Sequence, residues 1–210
     1  MGQKVNPIGF RVGVNKSWSA RWFGVPGRDF IANLLEDQKI RKYLAEKLIN
    51  AGLAGVEIER SVGIAKATVR VSRPGVVIGR SGSGADLIKK DLEAISKSKI
   101  SLTVEEVKNP ESTAAIVASD IARQLERRMT TKRVINMAAE RAMDHGAQGI
   151  KIVAKGRIGG AKIARQMSLF KGKVPLQTLR APIDYSGATA NLKYFGTVGI
   201  KVWIYKEPKI

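Results

Sequence analysis

Twice along this chain, apolar residues spaced about four apart give way to apolar residues spaced two apart, and that change of period limits the fold more than any other feature. From Asp29, which reads as an N-cap, to Ala51, the residues Ile40, Leu44 and Leu48 recur at helical spacing, and Gly52 supplies a stop. Val56, Ile58 and Val62 then alternate with Glu57, Glu59 and Ser61. Ala67, Val69 and Val71 alternate with Lys66, Thr68 and Arg70, with Gly63 placed for a hairpin between the two strands. Pro74-Gly75 opens a short VVI stretch and a glycine turn follows. Leu87, Ile88, Leu92 and Ile95 give a further helix its stripe, and Ile100, Leu102 and Val104 form a third strand.

The second change of period begins at Asn109-Pro110-Glu111, which combines an N-cap, a proline at the first helical position and an acid in the first turn. Ala114, Val117, Ala118, Ile121, Ala122 and Leu125 share one helical face, leaving Arg123, Arg127 and Arg128 off the core. Ile135, Ala138, Ala139 and Ala142 line a second helix from about 131 to 145, with Gly146 as its C-terminal glycine. Strands are expected at Ile150, Ile152 and Ala154, at 162–171, at 183–192, and at the alternation Val198, Ile200, Val202, Ile204. The predicted fold is therefore α+β. It has an N-terminal extension (1–28), a first domain (29–108) and a second domain (109–210) of two helices layered on a four-stranded, mainly antiparallel sheet.

The glycine turn, VVIGRSGSGAD at 76–86, tests three phosphate-binding patterns. Gly79 and Gly84 have P-loop separation but are followed by Ala85 and Asp86 instead of Lys and Ser or Thr, so a P-loop fails. A dinucleotide fingerprint starting at Gly82 and Gly84 meets Leu87 where its third glycine belongs, and fails too. What remains is Gly79-Arg80-Ser81-Gly82, the G-x-x-G backbone clamp of KH domains. In isolation this is also a plain helix–helix turn. Its context is helix, strand, strand, short helix, turn, helix, strand, which is the order of a type II KH domain (α-β-β-α-α-β) and favours the clamp.

Charge points to a phosphate-rich partner. The 210 residues hold 37 Lys and Arg against 18 Asp and Glu, a net +19, spread as 19 basic and 11 acidic side chains before residue 109 and 18 and 7 after it. No apolar run approaches a membrane span, no signal-peptide core follows the start, and Asn6 stands where a myristoylation signal needs Ser or Thr. A soluble, cytoplasmic protein without membrane contact is expected. With no cysteine and one histidine, a metal site, a cofactor or a nucleophile–base pair has no residues to build on. His145, beside Gly146, is expected to cap a carbonyl.

Three basic groups stand out. Lys132 and Arg133 occupy the first turn of a helix, where the dipole disfavours cations; with Arg123, Arg127 and Arg128 they make five cations in eleven residues opposed by Glu126 alone. A solvated face and an anion-binding site both fit that run. Residues 151–180 contain eight cations and no acid, among them Lys151, Lys155, Arg157, Lys162 and Arg165, and contact with a nucleic-acid backbone is the favoured explanation. Trp18, Trp22 and Phe23 lie among Lys16, Arg21 and Arg28. They could stack bases, though anchoring of the extension is the commoner role.

The segments MGQKVNPIGFRVG, RPGVVIGRSG, QLERR, GRIGGAKIAR, VPLQTLRAPIDY and VGIKVWIYK, spread over almost the whole chain, resemble the small-subunit ribosomal protein S-three family of bacterial and organellar type. The resemblance implies a structural, non-enzymatic role in the head of the small subunit, bound to its ribosomal RNA beside proteins S-ten and S-fourteen. It further implies a messenger RNA entry channel to which Lys132 and Arg133 contribute. The chain departs from the family pattern at Asn136, where a third cation is common, at Ser81, where a second loop cation is common, and at Lys162, where a glutamate is usual. It also ends without the long charged tail of many relatives. A free-standing KH regulator or RNA chaperone is the alternative, and a nucleic-acid-cleaving enzyme with a lysine nucleophile a third. Whether the ribosome is bacterial or organellar is open.

Overall fold

The computed structural model describes residues 3–24, 27–61, 64–79, 82–96, 98–193 and 196–207, with residue 28 by its backbone alone. They form two compact units, Trp18–Lys108 and Met1–Ser17 with Asn109–Ile210. The stretch 1–28, read from sequence as one extension, is thus shared between the units. In chain order the elements are α1 (Pro7–Arg11), α2 (Arg28–Lys47), β1 (Leu53–Ser61), β2 (Ile64–Val71), α3 (Pro74–Ile78), α4 (Ser83–Ile95), β3 (Lys99–Glu106), α5 (Ala114–Glu126), α6 (Thr131–Asp144), β4 (Gly149–Gly156), β5 (Arg165–Gly172), β6 (Ile183–Leu192) and β7 (Gly196–Tyr205).

In the unit 18–108, β1 and β2 pair antiparallel and β2 and β3 parallel, giving the order β1-β2-β3. Ile40 and Leu44 from α2 and Leu48 at its C-cap pack with Ile58, Val69, Val71, Val77, Leu92 and Ile100, as their period requires. Gly52 stops the helix in the left-handed region (φ 69°) after a 3₁₀ turn at Ile49–Ala51. Asp29, expected as the N-cap, lies instead in the first turn of α2 and Gly27 takes the cap position. Gly63 and Val62 lie outside the described residues. A buried ion cluster ties the unit together. Arg60 donates to Asp37 Oδ1 (2.7 Å) and Glu36 Oε2 (3.2 Å), and Trp22 Nε1 donates to Asp37 Oδ2 (2.8 Å). Trp22 also packs on Phe30, with centroids 5.4 Å apart, so its role is anchoring; Trp18 and Phe23 stay exposed.

In the other unit the sheet order is β5-β4-β7-β6, wholly antiparallel. Helices α5 and α6 bury Ile121, Leu125, Val134 and Ile135 against Ile150, Ile152, Val202 and Ile204 on one face of it. The start at Asn109-Pro110 is a 3₁₀ turn (Pro110–Ser112), and α5 begins only at Ala114. The acid serving that helix end comes from far along the chain: the Ala114 N–H donates to Asp184 Oδ2 at 3.0 Å. Helix α6 is closed by Gly146 (φ 84°), whose N–H reaches the Met143 carbonyl. His145 is the C-cap residue and meets the Arg141 carbonyl through its backbone N–H (3.0 Å), while among the described residues its imidazole makes no hydrogen bond.

The segment Pro7–Arg11 is fixed by a buried arginine. Arg11 donates to the carbonyls of Ala181 (2.8 Å), Thr178 (2.9 Å), Leu176 (3.0 Å), Pro7 (3.1 Å) and Pro175 (3.5 Å). Burial pushes its pKa below the ordinary guanidinium value. Asp184 also pairs with Lys16 at 3.4 Å. Replacing Asp184 with Ala should lower the stability of this unit by about 1–2 kcal/mol, because an N-terminal helix acceptor and an ion-pair partner go together. Asp184→Asn, which keeps an acceptor oxygen, should retain most of it. Urea unfolding followed by circular dichroism measures both.

Candidate nucleic-acid interface

The glycine turn joins α3 to α4. Gly79 (φ 70°) and Gly82 (φ 83°) hold left-handed backbone, and Gly82 sits at the N-cap of α4. Gly84 answers a different demand: a Cβ there would stand 2.6 Å from the Val77 carbonyl oxygen. The third glycine therefore lets α3 close on the first turn of α4. Arg80 and Ser81, the two residues expected to meet RNA, lie outside the described residues. Beside the turn Val76, Ile78 and Leu87 are exposed. The spacing of Leu87 puts it in the core stripe, but one residue ahead of Ile88 it is rotated off the buried face of α4, where Leu92 is fully buried.

The link between α5 and α6 concentrates cations on a short turn. Arg127 follows the last residue of α5, and Arg128 is the one non-glycine residue with positive φ (64°) among those described. Lys132 and Arg133 are exposed on the first turn of α6, and the Thr130 side chain makes no capping hydrogen bond. With Asn136, Met137 and Glu140 they line an open hollow of about 560 Å³. Nearby acids are engaged elsewhere: Glu140 pairs with Lys171 at 2.9 Å, and Glu126 accepts the Asn191 N–H at 3.0 Å. Among the described residues neither Lys132 nor Arg133 has a carboxylate within ion-pair distance. Arg123 does not join the group as the sequence implied, since it pairs with Asp120.

The other predicted cations map to the sheet. Arg157, Lys162 and Arg165 are exposed around the tip joining β4 to β5, where Arg157 Nε donates to the Ala161 carbonyl (3.0 Å). Lys151 and Lys155 alternate with core residues of β4 and so lie on the sheet face opposite α5 and α6. The register places Phe170, Lys151, Trp203 and Tyr185 in one row across four strands, and Lys201 and Gly187 in the next. Lys151 Nζ sits 5.5 Å from the Trp203 ring centre, and Trp203 packs on Tyr185 at 5.2 Å. Lys201 and Trp203 were not singled out in the sequence, although their alternation with Val202 and Ile204 marks them as the uncovered face. The structure thus sets Lys151 and Lys155 on the layer opposite the α6 cluster, with Arg157, Lys162 and Arg165 at the β4–β5 tip of the same unit.

Among the described residues no group of three or more acidic or histidine side chains forms a metal-binding cluster, and no helix is long and apolar enough to cross a membrane.

Comparison with known proteins decides between the RNA-binding classes. Residues 39–112 match the family model of the KH domain, and residues 121–204 that of ribosomal protein S3, C-terminal domain. The small ribosomal subunit protein uS3 of Caldicellulosiruptor saccharolyticus is 49% identical over 207 residues, 98% of this chain and 92% of that protein. The uS3 proteins of Clostridioides difficile and Gluconobacter oxydans are 50% and 48% identical, covering 97% and 98% of this chain and 75% and 90% of their own lengths. The chain belongs to the ribosomal protein S3 family. The family is structural and non-enzymatic, which removes the lysine-nucleophile alternative. Its KH model spans the G-x-x-G turn and its C-terminal model the α6 cluster and the sheet cations.

Gly84→Ala should destabilise the unit 18–108 by about 1–3 kcal/mol, because the new methyl meets backbone that cannot move without separating α3 from α4; thermal unfolding would show it. At the α5–α6 turn, Arg128→Gly should be more stable than Arg128→Ala by about 1 kcal/mol, the cost of left-handed backbone in a residue with a Cβ. Both variants should bind ribosomal RNA more weakly than the parent in a filter-binding titration. A side chain kept at a strained position for RNA contact requires that combination.

Proposed function

We propose that the chain works in the head of the small ribosomal subunit, where its C-terminal unit grips ribosomal RNA on one layer and incoming messenger RNA on the other. Membership of the S3 family makes it an RNA-binding structural constituent of the small subunit. The finer assignment rests on one observation above all. Lys132 and Arg133 stand at a helix end that disfavours cations, exposed, uncapped and without a carboxylate partner among the described residues. An anionic strand passing that turn supplies the missing charge. In the same reading Arg127 and Arg128 extend the contact, while Lys151, Lys155, Arg157, Lys162 and Arg165 hold ribosomal RNA backbone. The turn Gly79-Arg80-Ser81-Gly82 offers a weaker grip, with one cation. Proteins S-ten and S-fourteen are the proposed neighbours and the cytoplasmic ribosome the proposed location, by the family resemblance.

Mechanistically, phosphate contacts need neither base reading nor catalysis. Cations fixed on a rigid helix start hold the opened strand of a message as it advances, so that a hairpin ahead cannot close back. Small subunits reconstituted with Lys132→Ala and Arg133→Ala together should assemble and translate unstructured messages at the normal rate, yet slow on messages with a stable downstream hairpin. Asn136→Lys, which adds a cation one turn along in the same hollow, should move the ratio of the two rates the other way. If neither variant changes that ratio, the α6 cluster serves assembly and the entry-channel assignment falls.

A further inference from the structure

The open layer of the C-terminal sheet carries more than backbone contact requires. Phosphates need cations, and Lys151, Lys155 and Lys201 supply them in adjacent rows, about 7 Å apart along the strands, with no carboxylate on the same face of β4, β5 or β7. Phosphates do not need aromatic rings. Yet Phe170 is 57% exposed on the edge strand, and Trp203 and Tyr185, two and three strands away, pack together beyond Lys151. Nor do they need a hollow. Beside Trp203 and Tyr185 the strands carry Gly187 and Gly199, and a depression of about 210 Å³ opens there, lined also by Val153, Lys155, Thr189 and Lys201. That is below the ~300–1,000 Å³ of pockets for drug-sized ligands, and suits a single ring system.

The two glycines are not there for backbone reasons. Neither has positive φ, and a Cβ would find its nearest neighbour at 3.6 Å at Gly187 and 3.9 Å at Gly199, ordinary contact distances in both cases. A Cβ is accommodated at both positions, and a β-branched side chain would favour a strand. What the glycines achieve is an unfilled floor. Open floor, rings beside it and lysines around it are the parts with which a sheet holds unpaired bases, stacking the base and neutralising its phosphate. Duplex RNA offers its ribose hydroxyls and backbone to such a surface and has no use for rings or hollow. A protein partner would use the rings, but three lysines around them, none in an ion pair among the described residues, favour phosphate.

We infer that this sheet face is a binding site for single-stranded RNA, seating one unpaired base over Gly187 and Gly199 beside the Trp203–Tyr185 pair, with Lys151, Lys155 and Lys201 on the flanking phosphates. The inference rests on the RNA-binding reading above and adds to it the strandedness of the ligand and the seat of its base.

The test uses the full chain carrying Arg80→Asp and Ser81→Asp, so that the glycine turn contributes little. Fluorescence anisotropy compares three probes: an oligoadenylate RNA octamer, an abasic ribose–phosphate octamer and an RNA duplex. The octamer should bind about tenfold more tightly than the abasic chain. Adding Gly187→Val and Gly199→Val, with the fold checked by circular dichroism, should remove that advantage and leave the abasic and duplex affinities unchanged. Photocrosslinking of an octamer with one central 5-bromouridine to the chain without valines should map to Tyr185, Trp203 or Phe170. Equal affinity for octamer and abasic chain, indifference to the valines, or crosslinks confined to other segments would overturn the site. So would a valine variant that binds RNA normally but fails to enter small subunits, since the face would then belong to a protein neighbour. Failure of the parent chain to bind any of the probes would instead strike the broader RNA-binding reading.

Discussion

A four-stranded sheet has two faces, and this chain lays two long helices against only one of them. Helices α5 and α6 bury Ile150, Ile152, Val202 and Ile204 completely, which satisfies the hydrophobic demand of the unit from one side. The other face is then free of that demand and can be composed for a partner. The same division explains the helix layer. Its inward stripe is small and aliphatic, and its outward side, at the turn between α5 and α6, carries Arg127, Arg128, Lys132 and Arg133. Two basic surfaces on opposite layers follow from one amphipathic arrangement.

Segments without regular structure are held by buried cations. Arg11 spends its guanidinium on four carbonyls of the irregular stretch 175–181 and on that of Pro7, and Arg60 joins Glu36, Asp37 and Asn33 beneath Trp22. Burying a charge is unfavourable unless its donors are met, and here each finds several acceptors. The return is specificity of conformation. The stretch 175–181, which has no regular structure of its own, takes one path, because any other would leave a buried guanidinium unsatisfied.

Most of the fold was legible because its elements are amphipathic with clean periods. Helix α2 was visible in Ile40, Leu44 and Leu48, and β7 in Val198 to Ile204, since burial of one side forces those spacings. Three things were not legible, each for a physical reason. The acceptor at the start of α5 is Asp184, seventy residues away, so the local Asn-Pro-Glu signal pointed to a start four residues early. Arg123 looked like part of the basic run because pairing with Asp120 depends on rotamers that spacing does not determine. The left-handed Arg128 leaves no sequence trace, since glycine is the residue that would announce such a backbone. At the site, the charge of 151–165 was plain, but the gathering of Lys151 and Lys155 with Lys201, Trp203 and Phe170 depends on strand order, which a single sequence does not reveal.

If cations on these two layers are what binds RNA, affinity must follow the release of counterions. The affinity of the full chain for small-subunit ribosomal RNA, measured across a range of monovalent salt, tests this most directly. The account predicts a linear fall of log affinity with log salt, with a slope of roughly −0.7 to −0.9 for each phosphate neutralised and hence a steep total. A nearly flat line would contradict it, and would mean that shape or apolar contact, with charge incidental, holds this protein to its RNA.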